Sequence, residues 1–207
     1  VFSPNSKYIA TCSEYKTIYL LTINGNIIAK MKGNSNEIET LSFSPDGKYI
    51  ISGPRNGSIM LWNIKGELLR TFEGKSIWNT CVSFSPNGKY IVSGSNDGLR
   101  LWSIDGTLIR YFGKPLNRIV SATISPNGKY IAYASGFRGD CSLNIWSNSG
   151  ERIRNIKDAL VSDISFSPCG KYIASGSIVG KINLLNINGD LLKTFIGNSD
   201  GINNIKF

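Results

Sequence analysis

One group of residues in this sequence has the composition of a binding site, while the residues that most catalytic sites need are missing. Histidine is absent, which excludes Ser-His-Asp and Cys-His nucleophiles, His-ligated metals and imidazole acid–base catalysis. Neither a P-loop nor a G-x-G-x-x-G motif is present at a strand-to-helix junction. Of the four tryptophans, Trp78 is the only one outside a repeated column of the sequence. An aromatic residue accompanied by arginines is typical of a binding hot spot.

The repeated unit begins with the pattern Phe-Ser-Pro-Asn-Gly-Lys-Tyr-Ile, which occurs five times. Its copies start at Phe2, Phe43, Phe84, Ile124 and Phe166, at spacings of 41, 41, 40 and 42 residues. A repeat of this length indicates an array of near-identical supersecondary units. In such an array the shared positions build the scaffold, so the positions at which the repeats differ are the better guide to a site.

The second repeat predicts four short strands. Residues 38–43 alternate apolar and polar side chains, and the Ser-Pro-Asp-Gly-Lys turn follows them. Further strands are expected at 49–53, 58–64 and 67–72, with turns between them. A small antiparallel sheet of this kind cannot bury both faces alone, and packing sheets around an axis solves the problem.

These motifs resemble the WD-repeat β-propeller family over essentially the whole chain. Trp62, Trp102 and Trp146 match the family's tryptophan at the end of the third strand, which Leu21 and Leu185 replace in the outer units. The aspartate that usually follows is Asn63, Ser103 and Ser147 here. The family's Gly-His element is Gly33-Asn34, Gly74-Lys75 and Gly197-Asn198; it is displaced at Gly113-Lys114 and lost at Lys157-Asp158.

The resemblance implies an all-β fold, a β-propeller of four-stranded antiparallel blades with five blade-equivalents in this chain. The units run approximately over 1–33, 34–74, 75–113, 114–156 and 157–197, with 198–207 as the first strand of a next or closing blade. In the family the histidine supports a buried polar network. Without it that network is in doubt, and we expect the blades to rely more on apolar packing and turn chemistry.

Two arrangements fit the chain ends. Unit one has only Val1-Phe2 of its first strand, and 202–207 supplies a first strand with nothing after it. Either the C-terminal strand completes the first sheet in a five-bladed ring, or the chain is part of a larger, seven-bladed propeller. The start at Val1, inside a repeat, favours the larger parent.

The candidate partner-binding residues lie where second turns and inter-unit connections meet on one rim. Alignment on the Ser-Pro turn places five residues at one position before the first strand: Glu37, Trp78, Arg118, Leu160 and Gly201. The adjacent second turns add Tyr15, Arg55, Phe137, Arg138 and Ile178. The alternative is a tryptophan packed over a neighbouring loop, with solvated arginines.

Charged residues offer two further candidates. A lysine recurs at the same turn position in every unit (Lys7, Lys48, Lys89, Lys129 and Lys171), and the formal net charge is +9. We expect these lysines to form a ring on the opposite face, either as solvated turn residues or as a surface for acidic partners. Glu39 and Asp163 fall on the innermost strands. They could together hold a cation or act as an acid–base pair, or they could simply be polar residues that face water in the central channel.

The four cysteines predict a reducing compartment. Cys12, Cys81, Cys141 and Cys169 form no C-x-x-C pair and sit at different places in different repeats, which indicates inert buried or turn thiols rather than a disulfide or metal framework. Cys141 and Cys169 are expected in exposed turns. A cytoplasmic location follows as an expectation, and no apolar run reaches membrane-spanning length.

Together these features predict a non-catalytic scaffold or sensor module that binds a protein or peptide on its loop rim, without a cofactor or metal. The sequence pattern of Gly66–Gly74 and Gly189–Gly197 is similar to that of bacterial WD-repeat arrays, which are often attached to signalling or NTPase-containing polypeptides. Other domains of the same polypeptide are therefore candidate partners. One alternative is a basic module for nucleic acid or an acidic polymer. Another is a hydrolase or lyase with a propeller-based active site.

Overall fold

The computed structural model describes residues 1–12, 16–34, 36–55, 58–73, 78–112, 118–136, 141–157, 160–197 and 201–207. All regular elements in these ranges are β-strands and turns, arranged as five antiparallel sheets in chain order. No helix long and apolar enough to cross a membrane occurs in the described ranges.

Each sheet is one blade. Blade one contains β1 (Tyr8–Cys12), β2 (Ile18–Thr22) and β3 (Ile27–Met31); blade two contains β4 (Ile38–Phe43), β5 (Tyr49–Pro54), β6 (Ile59–Asn63) and β7 (Leu68–Phe72). Blade three contains β8 (Asn79–Phe84), β9 (Tyr90–Ser95), β10 (Gly98–Ser103) and β11 (Leu108–Tyr111). Blade four contains β12 (Ile119–Ile124), β13 (Tyr130–Ser135), β14 (Ser142–Ser147) and β15 (Arg152–Lys157); blade five contains β16 (Val161–Phe166), β17 (Tyr172–Ser177), β18 (Lys181–Asn186) and β19 (Leu191–Ile196).

The predicted fold class is confirmed: the chain forms propeller blades, and the strands of blade two agree with the sequence-based bounds to within one residue. The Ser-Pro turn explains the agreement. The Ser44 hydroxyl accepts the Tyr49 N–H (2.9 Å) and donates to Asp46 Oδ1 (2.6 Å), which also accepts the Lys48 N–H (3.1 Å). Gly47 has φ of 70°, a left-handed conformation that glycine adopts without strain. The turn is therefore specified locally in each repeat.

Aromatic residues join neighbouring blades. Phe72 of blade two meets Trp102 of blade three edge-on, with ring centroids 5.7 Å apart, and Phe112 meets Trp146 in the same way at 5.6 Å. A Cβ atom added to Gly94 would lie 2.6 Å from the Cγ2 of Ile119 in blade four. Because glycine has no Cβ, the first strand of blade four can pack closely against blade three. The core of the protein lies between the blades as well as within them.

The buried polar network that the missing histidine puts in doubt is present in blade two. Trp62 Nε1 donates to Ser52 Oγ (3.0 Å), Ser52 donates to Asn34 Oδ1 (2.9 Å), and Asn34 Nδ2 donates to the Lys16 carbonyl (3.3 Å). All three side chains are buried. Asn34 can replace the family's histidine because its amide, like a neutral imidazole, offers both an acceptor and a donor.

The network is shorter in the next two blades. In blade three, Trp102 Nε1 donates to Ser93 Oγ at 2.9 Å. In blade four Tyr133 takes the serine's place opposite the strand of Trp146, and no acceptor in the described ranges meets hydrogen-bonding geometry with Trp146 Nε1. The tryptophan–serine hydrogen bond therefore has no counterpart in the described part of blade four, where the buried Asn144 instead donates to Ser142 and accepts from Asn155.

The C-terminal residues lie against blade five. The Ile202 N–H donates to the Ser177 carbonyl and the Ile205 N–H to Asp163 Oδ2, both at 2.9 Å. Residues 201–207 form no regular strand, and the position opposite Ile9 in blade one is occupied by Phe2. In this structure the C-terminal segment therefore does not complete the sheet of blade one.

Candidate functional site

The antiparallel order of the strands separates two ends of the blades. The first and third turns of each blade, including the Ser-Pro turns, lie at one end. The second turns and the connections between blades lie at the other, which we call the connection rim. Residues far apart in the sequence meet at this rim because each blade contributes its loops beside those of its neighbours.

Trp78 lies between two arginines at the connection rim. The Arg55 guanidinium carbon is 4.4 Å from the centre of the indole, and the Arg118 guanidinium carbon is 5.5 Å from it. All three residues are half-buried. At these distances the indole face attracts each cation. Loop residues of blades two, three and four therefore form one surface.

The backbone around Trp78 is held in an uncommon conformation. Trp78 has φ of 68°, in the left-handed region that bulky residues rarely adopt. The Asn79 N–H donates to the Arg55 carbonyl (3.2 Å), and the Arg55 N–H donates to the Glu37 carbonyl (2.6 Å). The residue after Trp78 is thus tied to the second turn of blade two, which carries Arg55.

Asn79 is a site residue that the sequence interpretation missed. The other complete first strands begin with Ile38, Ile119 and Val161, whereas blade three begins with a buried asparagine. Its Nδ2 donates to the Pro54 carbonyl at 2.8 Å and so links blade three to the second turn of blade two. The signal was available in the sequence, as a polar residue in an otherwise apolar column.

The two arginines differ in their ionic partners. Arg55 lies 3.4 Å from a Glu37 carboxylate oxygen and 3.9 Å from one of Glu39. Arg118 forms no ion pair with a described residue, and its Nε is covered without an acceptor within those residues. We call the five residues Glu37, Glu39, Arg55, Trp78 and Arg118 the Trp78 patch; it has an acidic end on blade two and a cationic end at Arg118.

Other predicted rim residues do not join this patch. The Leu160 carbonyl accepts the Ile178 N–H (3.1 Å), and Gly201 lies so close to Ile178 that a side chain there would be 2.7 Å from its carbonyl oxygen. Both contacts belong to blade five. Tyr15, Phe137 and Arg138 fall outside the described residues.

The two axial carboxylates serve different contacts. Glu39 faces Arg55 in the Trp78 patch, whereas Asp163 accepts the Ser121 hydroxyl at 2.7 Å and the Ile205 N–H. These contacts provide no support for a Glu39–Asp163 pair. In the described part of the chain, no three Cys, Asp or Glu side chains converge as metal ligands would.

The five repeated lysines are exposed at the Ser-Pro end of the blades, opposite the Trp78 patch: Lys7, Lys48, Lys89, Lys129 and Lys171. Their turns are neighbours, since a side chain on Gly47 would lie 3.7 Å from Pro4 Cδ, and one on Gly88 would lie 3.8 Å from Pro45 Cδ. Lys48 lies 3.7 Å from Asp46. The lysines therefore follow one another from blade to blade as an exposed basic arc.

The thiols differ in environment. Cys141 is buried, contrary to the expectation of an exposed turn, whereas Cys169 is exposed. Cys169 takes the turn position of Asp46, and hydrogen bonds from the Ser167 hydroxyl and the Lys171 N–H lower the pKa of its thiol. Burial raises the pKa of Cys81 from 9.0 to about 11, which keeps that thiol neutral.

Comparison with known proteins agrees with the architecture. No curated protein matches the chain closely enough to count as a relative. The family model described as WD domain, G-beta repeat matches residues 1–20, 25–63, 66–103, 106–147 and 150–178. These matches cover most of the chain and include every blade, so the chain belongs to the WD40 repeat family.

Proposed function

We propose that this protein is a non-catalytic interaction module that holds a protein or peptide partner at the Trp78 patch. WD40 repeats generally form protein-interaction scaffolds. The observation that supports this particular site is the stacking of two guanidinium groups, from different blades, on one half-buried indole at the connection rim.

The patch has the physical properties of a binding hot spot. Trp and Arg supply the largest energies in protein interfaces, and their contribution is greatest where side chains are already held in place. Here the residue that follows Trp78 is anchored by the hydrogen bond from the Asn79 N–H to the Arg55 carbonyl. The left-handed conformation of Trp78 is the kind of local strain that concentrates at ligand sites. A partner would meet a surface that needs little further ordering.

The test is selection of binding peptides on the purified protein. A phage-displayed library of 12-residue peptides is panned on the wild type, and the affinity of each selected peptide is measured by calorimetry. We expect Trp78→Ala to weaken binding at least 30-fold, the size of a hot-spot substitution, while circular dichroism shows an unchanged fold.

The matched control lies at the opposite end of the blades. The double variant Lys89→Ala, Lys129→Ala removes two exposed side chains from the basic arc and should leave peptide affinity within twofold. Failure to select any peptide, or loss of binding in the lysine variant rather than in Trp78→Ala, would refute the proposal.

A second candidate function uses the basic arc itself. Its support is the exposure of all five lysines on neighbouring turns, which is suited to an acidic polymer. Retention on heparin that weakens steeply with salt, and that is reduced in the double lysine variant, would favour it. A cytoplasmic location remains our proposal from the scattered cysteines, to be checked by fractionation.

A further inference from the structure

We propose that the Trp78 patch recognises an acidic residue of its partner peptide, whose carboxylate binds Arg118 beside the indole. This inference rests on the proposed function and specifies the chemistry of the partner. It follows from the different states of the two arginines that share Trp78.

Arg55 is already neutralised. Its guanidinium has the carboxylates of Glu37 and Glu39 within 4 Å and lies nearer to the indole than Arg118 does. A second anion at Arg55 would have to displace these carboxylates or be repelled by them. Arg55 therefore serves to hold Trp78 in place, and the acidic end of the patch disfavours an incoming anion.

Arg118 has a charge that no described residue balances. Its Nε is covered by protein and has no acceptor in the described ranges, while the residue as a whole stays partly exposed. Two N–H groups along one edge of a guanidinium match the two oxygens of a carboxylate. The indole excludes water from one face of the guanidinium, so an ion pair formed there is less screened than one on the open surface.

Arg118 is also well positioned before a ligand arrives. Its carbonyl accepts the Gly136 N–H at 2.9 Å, and it is followed by Ile119, which is fully buried against Gly94 of the preceding blade. The main chain is thus held on the C-terminal side of Arg118, and contact with the Trp78 ring restrains the side chain. Binding of a carboxylate costs little additional ordering as a result.

The charge of the patch favours a carboxylate over a phosphate. Glu37 and Glu39 both lie at Arg55, so Arg118 is the one arginine of the patch without a nearby counter-charge among the described residues. A dianionic phosphoryl group would bring one negative charge more than Arg118 can balance, in a patch that already carries two carboxylates. A single Asp or Glu side chain matches the available charge.

The experiment uses the tightest peptide selected on the wild-type protein. Each Asp or Glu of that peptide is replaced in turn by Asn or Gln, and affinities are measured for the wild type and for Arg118→Gln. We expect one such replacement to weaken binding to the wild type about tenfold or more, and Arg118→Gln to weaken the unmodified peptide by a similar factor. Combining the two changes should add little, because they remove the same ion pair.

The charge-matched control variant lies in the basic arc. Lys89→Gln removes the same charge from the far end of the blades and should leave affinity unchanged. If selected peptides lack acidic residues, or keep full affinity as amides while Trp78→Ala still abolishes binding, this inference is wrong and the rim function stands. A selected peptide that binds more tightly when its acidic residue is replaced by phosphoserine would also overturn it. Binding insensitive to Trp78→Ala refutes the proposed function itself.

Discussion

The polar network of blade two provides the sharpest test of how this chain tolerates the loss of histidine. Asn34→Ala removes the acceptor of the Ser52 hydroxyl and the donor to the Lys16 carbonyl. Leaving a buried polar group unsatisfied costs about 1–3 kcal/mol. Because some of the two groups' hydrogen bonding can be recovered by water, we expect the free energy of unfolding to fall by about 2–3 kcal/mol. For a chain of this size that corresponds to a melting temperature lower by about 4–12 °C.

The measurement is urea unfolding followed by near-ultraviolet circular dichroism, with Trp62 as a natural reporter. Asn34→His restores the residue typical of the family and should retain stability to within about 1 kcal/mol, since imidazole also offers one donor and one acceptor. Asn26→Ala, at an exposed position, should change stability by less than about 0.5 kcal/mol.

A double-mutant cycle with Ser52→Ala separates the network from simple side-chain loss. If Ser52 and Asn34 interact as the structure shows, the double variant should be less destabilised than the sum of the single variants, by about 1 kcal/mol. Strict additivity, together with a cost below about 0.5 kcal/mol for Asn34→Ala, would refute the view that asparagine replaces histidine in this network.

Three further predictions concern individual turn and cysteine residues. Ser6 has φ of 56° where the other Ser-Pro turns have glycine, so Ser6→Gly should stabilise the protein by about 0.5–1 kcal/mol and Gly88→Ser should destabilise it similarly in thermal unfolding. Because burial raises the pKa of Cys81 from 9.0 to about 11, the unfolded chain loses this proton first. The stability contributed by the neutral thiol is therefore complete below pH 9 and is lost as the pH rises towards 11, a dependence that Cys81→Ala should lack in urea titrations. Iodoacetamide should alkylate Cys169, with its lowered thiol pKa, well before Cys81; equal rates would contradict the assigned environments.

The blade itself was predictable because its determinants are local. The serine, aspartate and glycine of the Ser-Pro turn lie within a few residues of one another, and each interacts mainly with that same turn. Repetition then strengthened a pattern that would be weak in one copy. The rim position of Trp78 and Arg118 was also accessible, since both precede a first strand in the aligned repeats.

Contacts between repeats could not be obtained in this way. That Arg55 and Arg118 stack on the same indole depends on how closely three blades pack, and that packing depends on bare positions such as Gly94. The separate partners of Glu39 and Asp163 arise in the same manner. The spacing of residues along the chain does not reveal the distances between side chains of different blades.

The sequence by itself thus determined the repeated sheet, its turns and the end of each blade at which variation is concentrated, because these depend on residues adjacent in the chain. Only the tertiary structure decided that Asn34 completes a buried network and that Arg118, unlike Arg55, retains an unbalanced charge among the described residues. The physical reason is that hydrogen bonds and ion pairs act over a few ångströms, and only folding brings residues of different blades that close.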